Sequence, residues 1–171
     1  ANIYNSGREI SLEAENSTQK GDTIFWSFPE HELFSLSALI ITGTSGDPLL
    51  EYKLIPKKNG YYSVGYSGAP NFSMEEVDEI WQPLIWQEKR FPENSFLTLA
   101  FRAPIPSSLL NDGNNTIGVL AAPEEFPFAP LPTMDNSRFG ISIRGKKGNV
   151  QSQLFAPVLG GHESLRKVGQ S

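Results

Sequence analysis

The alternation of apolar and polar side chains constrains the fold of this chain more than any other feature. In residues 10–15, isoleucine, leucine and alanine occupy one set of alternate positions, and serine and glutamate occupy the other. A two-residue period places the apolar side chains on one face of a strand and the polar side chains on the other. Further strand-sized segments follow at residues 23–28, 33–42, 49–55 and 61–66. The sequence therefore predicts a series of half-buried strands.

Turn residues separate these segments. Residues 16–22 predict a turn, and Pro29 ends the second strand. Asn59 and Gly60 predict a hairpin, because both residues accept a positive φ readily. Turn signals at a spacing of about 8–12 residues are typical of an all-β protein.

One segment departs from this pattern and predicts a helix. Ser73 and Glu76 have the spacing of a capping box, in which each residue bonds the backbone of the other. Apolar residues then recur at three- and four-residue spacing: Met74, Val77, Ile80 and Trp81. We expect one short α-helix near residues 73–82, ended by Pro83.

Strand patterns resume in the second half of the chain. Residues 96–101 predict a central strand, residues 111–115 a turn, and residues 139–158 a final hairpin. The 15 glycines and 13 prolines favour many short elements over a few long helices. The predicted fold is an all-β, jelly-roll-like antiparallel β-sandwich of about nine or ten strands. A closed β-barrel is the alternative, since both architectures need alternating strands and similar turns.

The length of 171 residues suits one domain. We expect the β-sandwich to occupy residues 1–159, and residues 160–171 to form a linker or tail because glycines and polar residues dominate there. The chain begins at Ala1 rather than a methionine. This start is typical either of a processed mature protein or of a piece cut from a longer one. Because the sequence also stops abruptly after residues 167–171, we expect a fragment of a longer protein with a further domain.

Charge and cysteine content limit the partners. The chain has 14 Lys and Arg against 19 Asp and Glu, a net charge of −5, whereas nucleic-acid binding depends on clustered cations. No cysteine is present, which excludes a disulfide scaffold and thiol catalysis. No stretch approaches the ~20 apolar residues that cross a bilayer as a helix. We expect no nucleic-acid partner and no membrane span.

The sequence contains no motif for a cofactor or a metal. A glycine-rich phosphate loop, a G-x-S-x-G elbow and an H-E-x-x-H helix are all missing. His31 has the setting of a surface turn residue, and the other histidine, His162, lies near the end of the chain. Residues 112–114 match the start of a calcium loop but lack its later acidic ligand, so they predict a turn. We expect no cofactor and no bound metal.

Glycan cleavage is the catalytic alternative, and it would require a pair of carboxylates. Glu124 lies beside Glu125 among prolines and phenylalanines, an apolar setting that raises carboxyl pKa values. Adjacent side chains on an extended chain point in opposite directions, however, so these two could not face one substrate. The candidates for this alternative are Glu88, Glu124 and Arg138.

An aromatic cluster near the middle of the chain predicts ligand binding. Sugar rings present apolar C–H faces that lie flat on aromatic rings, while amide and guanidinium groups bond the hydroxyls. We expect Trp81 to be a core residue, because it completes the apolar stripe of the predicted helix. The candidate ligand-binding residues are Trp86, Gln87, Tyr66, Arg90, Asn136 and Arg138.

Three segments carry a resemblance to known proteins. Residues 81–92 (WQPLIWQEKRFP), 122–128 (APEEFPF) and 136–140 (NSRFG) resemble parts of large secreted proteins of environmental and gut bacteria. In those proteins an N-terminal β-sandwich precedes a separate domain, and many are polysaccharide-active. The resemblance implies a secreted, periplasmic or cell-surface location and a neighbouring domain in the same chain. It supplies no active-site residue.

The leading hypothesis is therefore a non-catalytic β-sandwich module of an exported bacterial protein. We expect it to be associated with carbohydrate, either by weak binding to a polysaccharide or oligosaccharide or by packing on a catalytic neighbour. The alternatives are a glycan-cleaving hydrolase or lyase domain, and a module for protein interaction or assembly.

Overall fold

The computed structural model is built from short strands. It describes residues 1–5, 8–43, 48–67, 71–83, 85–88, 98–99, 106–122, 139–144, 149–159 and 162–171. Within these residues lie fifteen strands and one 3-10 turn, His162–Ser164. The strands are β1 (Asn2–Asn5), β2 (Arg8–Ser11), β3 (Asn16–Lys20), β4 (Thr23–Ser27), β5 (Phe34–Ile41), β6 (Leu49–Pro56), β7 (Gly60–Ser67), β8 (Glu79–Gln82), β9 (Ile85–Glu88), β10 (Thr98–Leu99), β11 (Ser107–Asn111), β12 (Thr116–Leu120), β13 (Gly140–Arg144), β14 (Val150–Ala156) and β15 (Leu165–Arg166).

The strands form one seven-stranded sheet and two four-stranded sheets. Every pairing whose register is defined in the described residues is antiparallel. This confirms the all-β antiparallel class and is consistent with the predicted β-sandwich. Within the described residues each sheet has two different end strands, unlike the closed barrel of the alternative. In the same residues, no helix has the length and apolar character to cross a membrane.

The predicted count of nine or ten strands is too low. Several of the fifteen observed strands are only two to five residues long. Some of them lie where the sequence predicts a turn or a helix, because a short paired strand needs no long apolar run. The chain divides into two compact units, residues 1–64 with 165–171, and residues 65–164. The residues of β7 are shared between them.

The first unit contains the sheet β3-β4-β5-β6. Burial alternates along β5, where Phe34, Leu36 and Ala38 are buried and Ser37, between Leu36 and Ala38, is exposed. The buried face joins Ile3 and Tyr62 in one apolar cluster. The Tyr62 ring meets Phe34 edge-on, with centroids 6.3 Å apart. One face of this sheet is therefore core, and the opposite face meets solvent.

The second unit contains the sheet β12-β11-β8-β9 and the antiparallel strands β10, β13 and β14. Leu110 on β11 lies opposite Ile80 on β8. Phe72 and Val150 exchange two backbone hydrogen bonds of 3.0 and 2.9 Å. The buried cluster of this unit consists of Val77, Ile80, Leu110, Ile143 and Val150, with Phe72 packed against it.

The predicted α-helix near residues 73–82 is wrong, although its capping interaction is present. The Glu76 carboxylate accepts hydrogen bonds from the Ser73 N–H at 2.8 Å and from the Ser73 hydroxyl at 2.9 Å. The chain makes a single turn there and continues as β8, which pairs with β11 and β9. Ile80 is fully buried whereas Trp81 is 38% exposed, a two-residue period. The ladder bonds of two neighbouring strands satisfy this backbone, whereas a helix would need costly nucleation.

The C-terminal segment, predicted as a tail over residues 160–171, makes defined contacts in the first unit. Strand β15 pairs with the start of β7. The Val168 N–H donates to Asn59 Oδ1 at 2.9 Å, and the Gly169 N–H donates to the Pro56 carbonyl at 2.9 Å. The predicted boundary between domain and tail stays a prediction, as does a further domain in a longer protein.

Candidate binding site on the outer sheet face

The solvent-facing side of the sheet β3-β4-β5-β6, called here the outer face, carries the candidate site. Directly paired positions of neighbouring strands share a face, so the strand register defines rows of side chains across it. Two such rows lie side by side. The first row is Thr18, Phe25, Leu39 and Glu51. The second row is Asn16, Ser27, Ser37 and Lys53, of which Asn16 lies outside the groove.

These two rows line an open groove of about 300 Å³. Neighbouring strands lie ~4.8 Å apart, so the row of four side chains extends roughly 14 Å. Trp26 and Ala38 also line the groove. Their positions alternate to the opposite face, so their backbone forms the floor. The volume lies at the lower end of the roughly 300–1,000 Å³ found for small-molecule sites.

Apolar side chains occupy the centre of this face. Phe25 is 44% exposed, and its partner across the β4–β5 register, Leu39, is half-buried. The same face continues with Ile41, Leu49 and Ile55, which are 36–45% exposed. Contiguous exposed apolar side chains rimmed by polar ones mark an interaction surface, whereas isolated ones do not.

Polar groups surround the apolar centre of the groove. The hydroxyls of Thr18, Ser27 and Ser37 can each donate and accept a hydrogen bond, while Glu51 accepts and Lys53 donates. This arrangement suits a ligand with one flat apolar face and several hydroxyls. Glu51 is the single carboxylate among the lining residues. Acid–base cleavage of a glycosidic bond commonly uses two carboxyl groups.

The sequence-predicted ligand-binding residues are only partly described by the structure. Trp86 and Gln87 lie on β9, where the backbone register places them opposite Trp81 and Ile80. Tyr66 lies on β7 and is half-buried. The exposure of Trp81 shows that its predicted place in the core is wrong. Outside the described residues lie Arg90, Asn136 and Arg138.

The candidates for the catalytic alternative are described even less completely. Glu88 lies at the end of β9, and its backbone position is opposite Glu79 on β8. Glu124 and Arg138 lie outside the described residues. The catalytic alternative therefore stays a prediction.

The residues considered for metal binding have structural partners. The His31 ring stacks on Phe34, with centroids 4.7 Å apart. Asp112 Oδ1 accepts the backbone N–H groups of Asn115 at 2.7 Å and Asn114 at 2.9 Å, and these bonds lower the pKa of the carboxyl below its usual value. The predicted turn at this position is confirmed. Across the described residues, no group of three or more His, Cys, Asp or Glu side chains could hold a metal ion.

Comparisons of the chain with protein-family models, with curated proteins and with solved structures give no significant match in any of the three.

Sequence reasoning missed the groove. Residues 23–28 form an almost continuous apolar run, which conceals the fact that Phe25 faces solvent. A usable signal was present, because Thr23 and Ser27 have the same strand parity as Phe25 and mark that face as polar.

Proposed function

We propose that this chain is a non-catalytic β-sandwich module of an exported bacterial protein that binds glycan weakly through the groove on its outer face. The observation that carries the proposal is Phe25, 44% exposed at the centre of a groove rimmed by hydroxyl and charged side chains. The exported setting and the ligand class follow from the resemblance of three segments to large secreted bacterial proteins, many of which are polysaccharide-active.

The proposed contact uses both parts of the groove. The C–H face of a sugar ring packs on Phe25 and Leu39, and its hydroxyls exchange hydrogen bonds with Ser27 and Ser37. Each such hydrogen bond contributes only about 0.5–1.5 kcal/mol, because water competes for the same groups. The groove is open, so part of the ligand stays hydrated. We expect a dissociation constant on the order of 1 mM, about 4 kcal/mol of binding free energy.

Affinity electrophoresis in gels containing soluble polysaccharides, followed by calorimetry on any that retard the protein, tests the proposal. We expect at least one neutral polysaccharide to retard the wild type and Phe25→Ala to abolish the retardation. The matched control is Tyr61→Ala, which removes an aromatic side chain of nearly equal exposure, 43%, that does not line the groove. Circular dichroism of each variant establishes that it is folded.

Two outcomes would contradict the proposal. One is a wild type that no polysaccharide in a broad panel retards, and the other is retention that Phe25→Ala leaves unchanged. A third variant, Trp86→Ala, separates the groove from the sequence-predicted aromatic site. Loss of binding in Trp86→Ala but not in Phe25→Ala would move the site to β9.

The same panel distinguishes binding from cleavage. Assays for reducing ends and for unsaturated products should detect no release by the purified protein. Release that is lost in Glu88→Gln or Glu124→Gln would establish the glycan-cleaving alternative.

A further inference from the structure

Strand β6 is an end strand of its sheet in the described part of the chain. The Lys57 N–H, one residue beyond β6, donates to the Leu33 carbonyl at 2.8 Å on the β5 side. Antiparallel bonding alternates along a strand, so the odd-numbered residues of β6 bond β5. The backbone groups of Leu50 and Leu54 therefore point away from β5. The even-numbered Pro56 follows the same pattern. Its carbonyl accepts the Gly169 N–H of the C-terminal segment rather than an N–H of β5.

The exposed side chains of β6 form a symmetric pattern along the strand. An apolar residue lies at each end, and two residues of opposite charge lie at the centre. Leu49, Glu51, Lys53 and Ile55 all lie on the outer face and are all exposed. Along the strand their order is apolar, acidic, basic, apolar, and their positions are spaced symmetrically on either side of Tyr52. If a second copy of the strand lies alongside in the opposite direction, each acid faces a base and each outer apolar residue faces another.

We propose that β6 pairs antiparallel with β6 of a second copy of this chain, about a two-fold axis beside Tyr52. Leu50 of each copy lies opposite Leu54 of the other, in positions where both strands direct backbone hydrogen-bonding groups at each other. Glu51 of each copy lies opposite Lys53 of the other, in non-hydrogen-bonded positions where facing side chains are closest. The two four-stranded sheets then become one continuous sheet, and the interface is isologous.

The charges select one register. A shift of two residues in one direction places Glu51 opposite Glu51, and a shift in the other places Lys53 opposite Lys53. Directly opposed like charges destabilise a strand pair. After a shift of one residue, the outward-pointing backbone groups of one strand lie opposite residues whose backbone groups point away. Exposed side chains of one strand then lie opposite half-buried side chains of the other. Charged side chains on an end strand usually oppose pairing, and here they permit only the self-complementary register.

Sedimentation equilibrium and light scattering over micromolar to millimolar protein test this pairing. We expect a reversible dimer of the wild type. Glu51→Lys or Lys53→Glu each place like charges opposite at two symmetric points and should weaken dimerisation about tenfold or more. The double variant, Glu51→Lys with Lys53→Glu, restores the opposite charges and should dimerise like the wild type. The matched control, Lys20→Glu on β3, changes the same charge on the same sheet and should leave the dimer unchanged.

Mixing the two single variants gives the sharpest result. Each should be mainly monomeric alone, and together they should form a mixed dimer, because the first supplies only bases and the second only acids at the paired positions. A wild type that stays monomeric at millimolar concentration overturns the proposal. So do single variants that dimerise as the wild type does, or a mixture that does not associate.

Oxidative cross-linking reports the register directly, since the chain has no cysteine of its own. Non-hydrogen-bonded positions of an antiparallel pair are ~4.5 Å apart at Cα, within the usual span of a disulfide. The double variant Glu51→Cys with Lys53→Cys should therefore form a covalent dimer. Glu51→Cys alone has no thiol opposite it and should form little. Equal cross-linking of the two variants, or none in the double variant, contradicts this register. The pairing does not depend on glycan binding, so either proposal can fail alone.

Discussion

At the scale of single residues, hydrogen bonds to carboxylates organise the tight turns of the second unit. Glu76 accepts the backbone N–H and the hydroxyl of Ser73, and Asp112 accepts the backbone N–H groups that follow it. In both, bonding to the ionised form holds the pKa of the carboxyl below its usual value, with a backbone hydrogen bond as the largest cause. Loss of hydration would raise both pKa values, so these bonds rather than burial set the direction of the shift.

This arrangement predicts how Glu76 titrates. Its carboxyl should ionise below the usual value of 4.5, and Ser73→Ala should move the midpoint upward, because the hydroxyl bond is lost and the backbone bond stays. Carbon-detected NMR titration of the glutamate carboxyls measures both midpoints. A midpoint at or above 4.5 in the wild type, or no movement in Ser73→Ala, would contradict the prediction.

The lowered pKa also fixes the sign of a pH effect on stability. A depressed folded pKa means that the contact stabilises the protein above the unfolded pKa, and that the stabilisation is lost as the pH falls through the folded pKa. Glu76→Gln should therefore lower the free energy of unfolding near neutral pH and have little effect in acid. Urea unfolding at both pH values measures the difference. Glu75→Gln removes the same charge beside the turn and serves as the control.

At the scale of elements, the sequence predicts the long strands well and the short ones poorly. Strands β5, β6 and β7 begin and end within one residue or so of the predicted segments, because each carries a long run with turn residues at both ends. Strand β3 lies where a turn was predicted. All five of its side chains are exposed, so it has no apolar alternation to detect. The helix was predicted because Met74, Val77, Ile80 and Trp81 recur at three- and four-residue spacing, whereas β8 itself, Glu79–Gln82, is too short to show a clear strand period.

From the sequence, the kind of candidate site could be predicted but not the residues that form it. The sequence indicates an aromatic surface on a β-rich module, whereas the proposed site is centred on Phe25, a residue that the sequence analysis did not select. Which aromatic side chains face solvent depends on which face of the sheet is covered, and within residues 23–28 only Thr23 and Ser27 mark the side that meets solvent. The predicted site around Trp86 stays a prediction.

Strand β12 offers a test of how closely these short strands pack. Gly118 lies opposite Leu109 on β11. A Cβ at this position would meet the Ser108 carbonyl oxygen and the Leu109 side chain. Because β11 also pairs with β8, its backbone cannot withdraw freely, and Gly118→Ala should destabilise the protein by about 1–3 kcal/mol.

Chemical denaturation measures this change, with Gly43→Ala as the matched control. A Cβ at Gly43 would meet no atom within 4 Å, so that variant should stay within about 0.5 kcal/mol of the wild type. Equal stability of the two variants would show that β11 and β12 separate more easily than their register implies.

At the scale of the whole molecule, both ends of the described chain belong to the first unit. The Ala1 amine donates to the Leu12 carbonyl at 2.9 Å. At the other end, Val168 and Gly169 bond Asn59 and Pro56. The first unit is thus assembled from segments that are far apart in sequence, and its stability depends on the last residues of the chain.

Deletion of residues 165–171 should therefore destabilise the protein. The deletion removes β15 and the two hydrogen bonds that follow it, so we expect a loss of about 1–3 kcal/mol. Asn59→Ala removes only the bond to Val168 and should lose about 0.5–1.5 kcal/mol. Denaturant midpoints of both variants give the comparison. A deletion variant as stable as the wild type would show that these contacts add nothing measurable to stability, as in the linker or tail expected from the sequence.

The two margins of the β3-β4-β5-β6 sheet differ in a way that limits assembly size. The margin at β3 consists entirely of exposed polar or charged side chains: Asn16, Ser17, Thr18, Gln19 and Lys20. A strand that paired with β3 would desolvate these polar side chains without burying any apolar side chain of β3. If β6 pairs with β6 of a second copy of the chain, the joined sheet has a polar β3 as the end strand on both sides. Extension of this sheet should therefore stop at two chains.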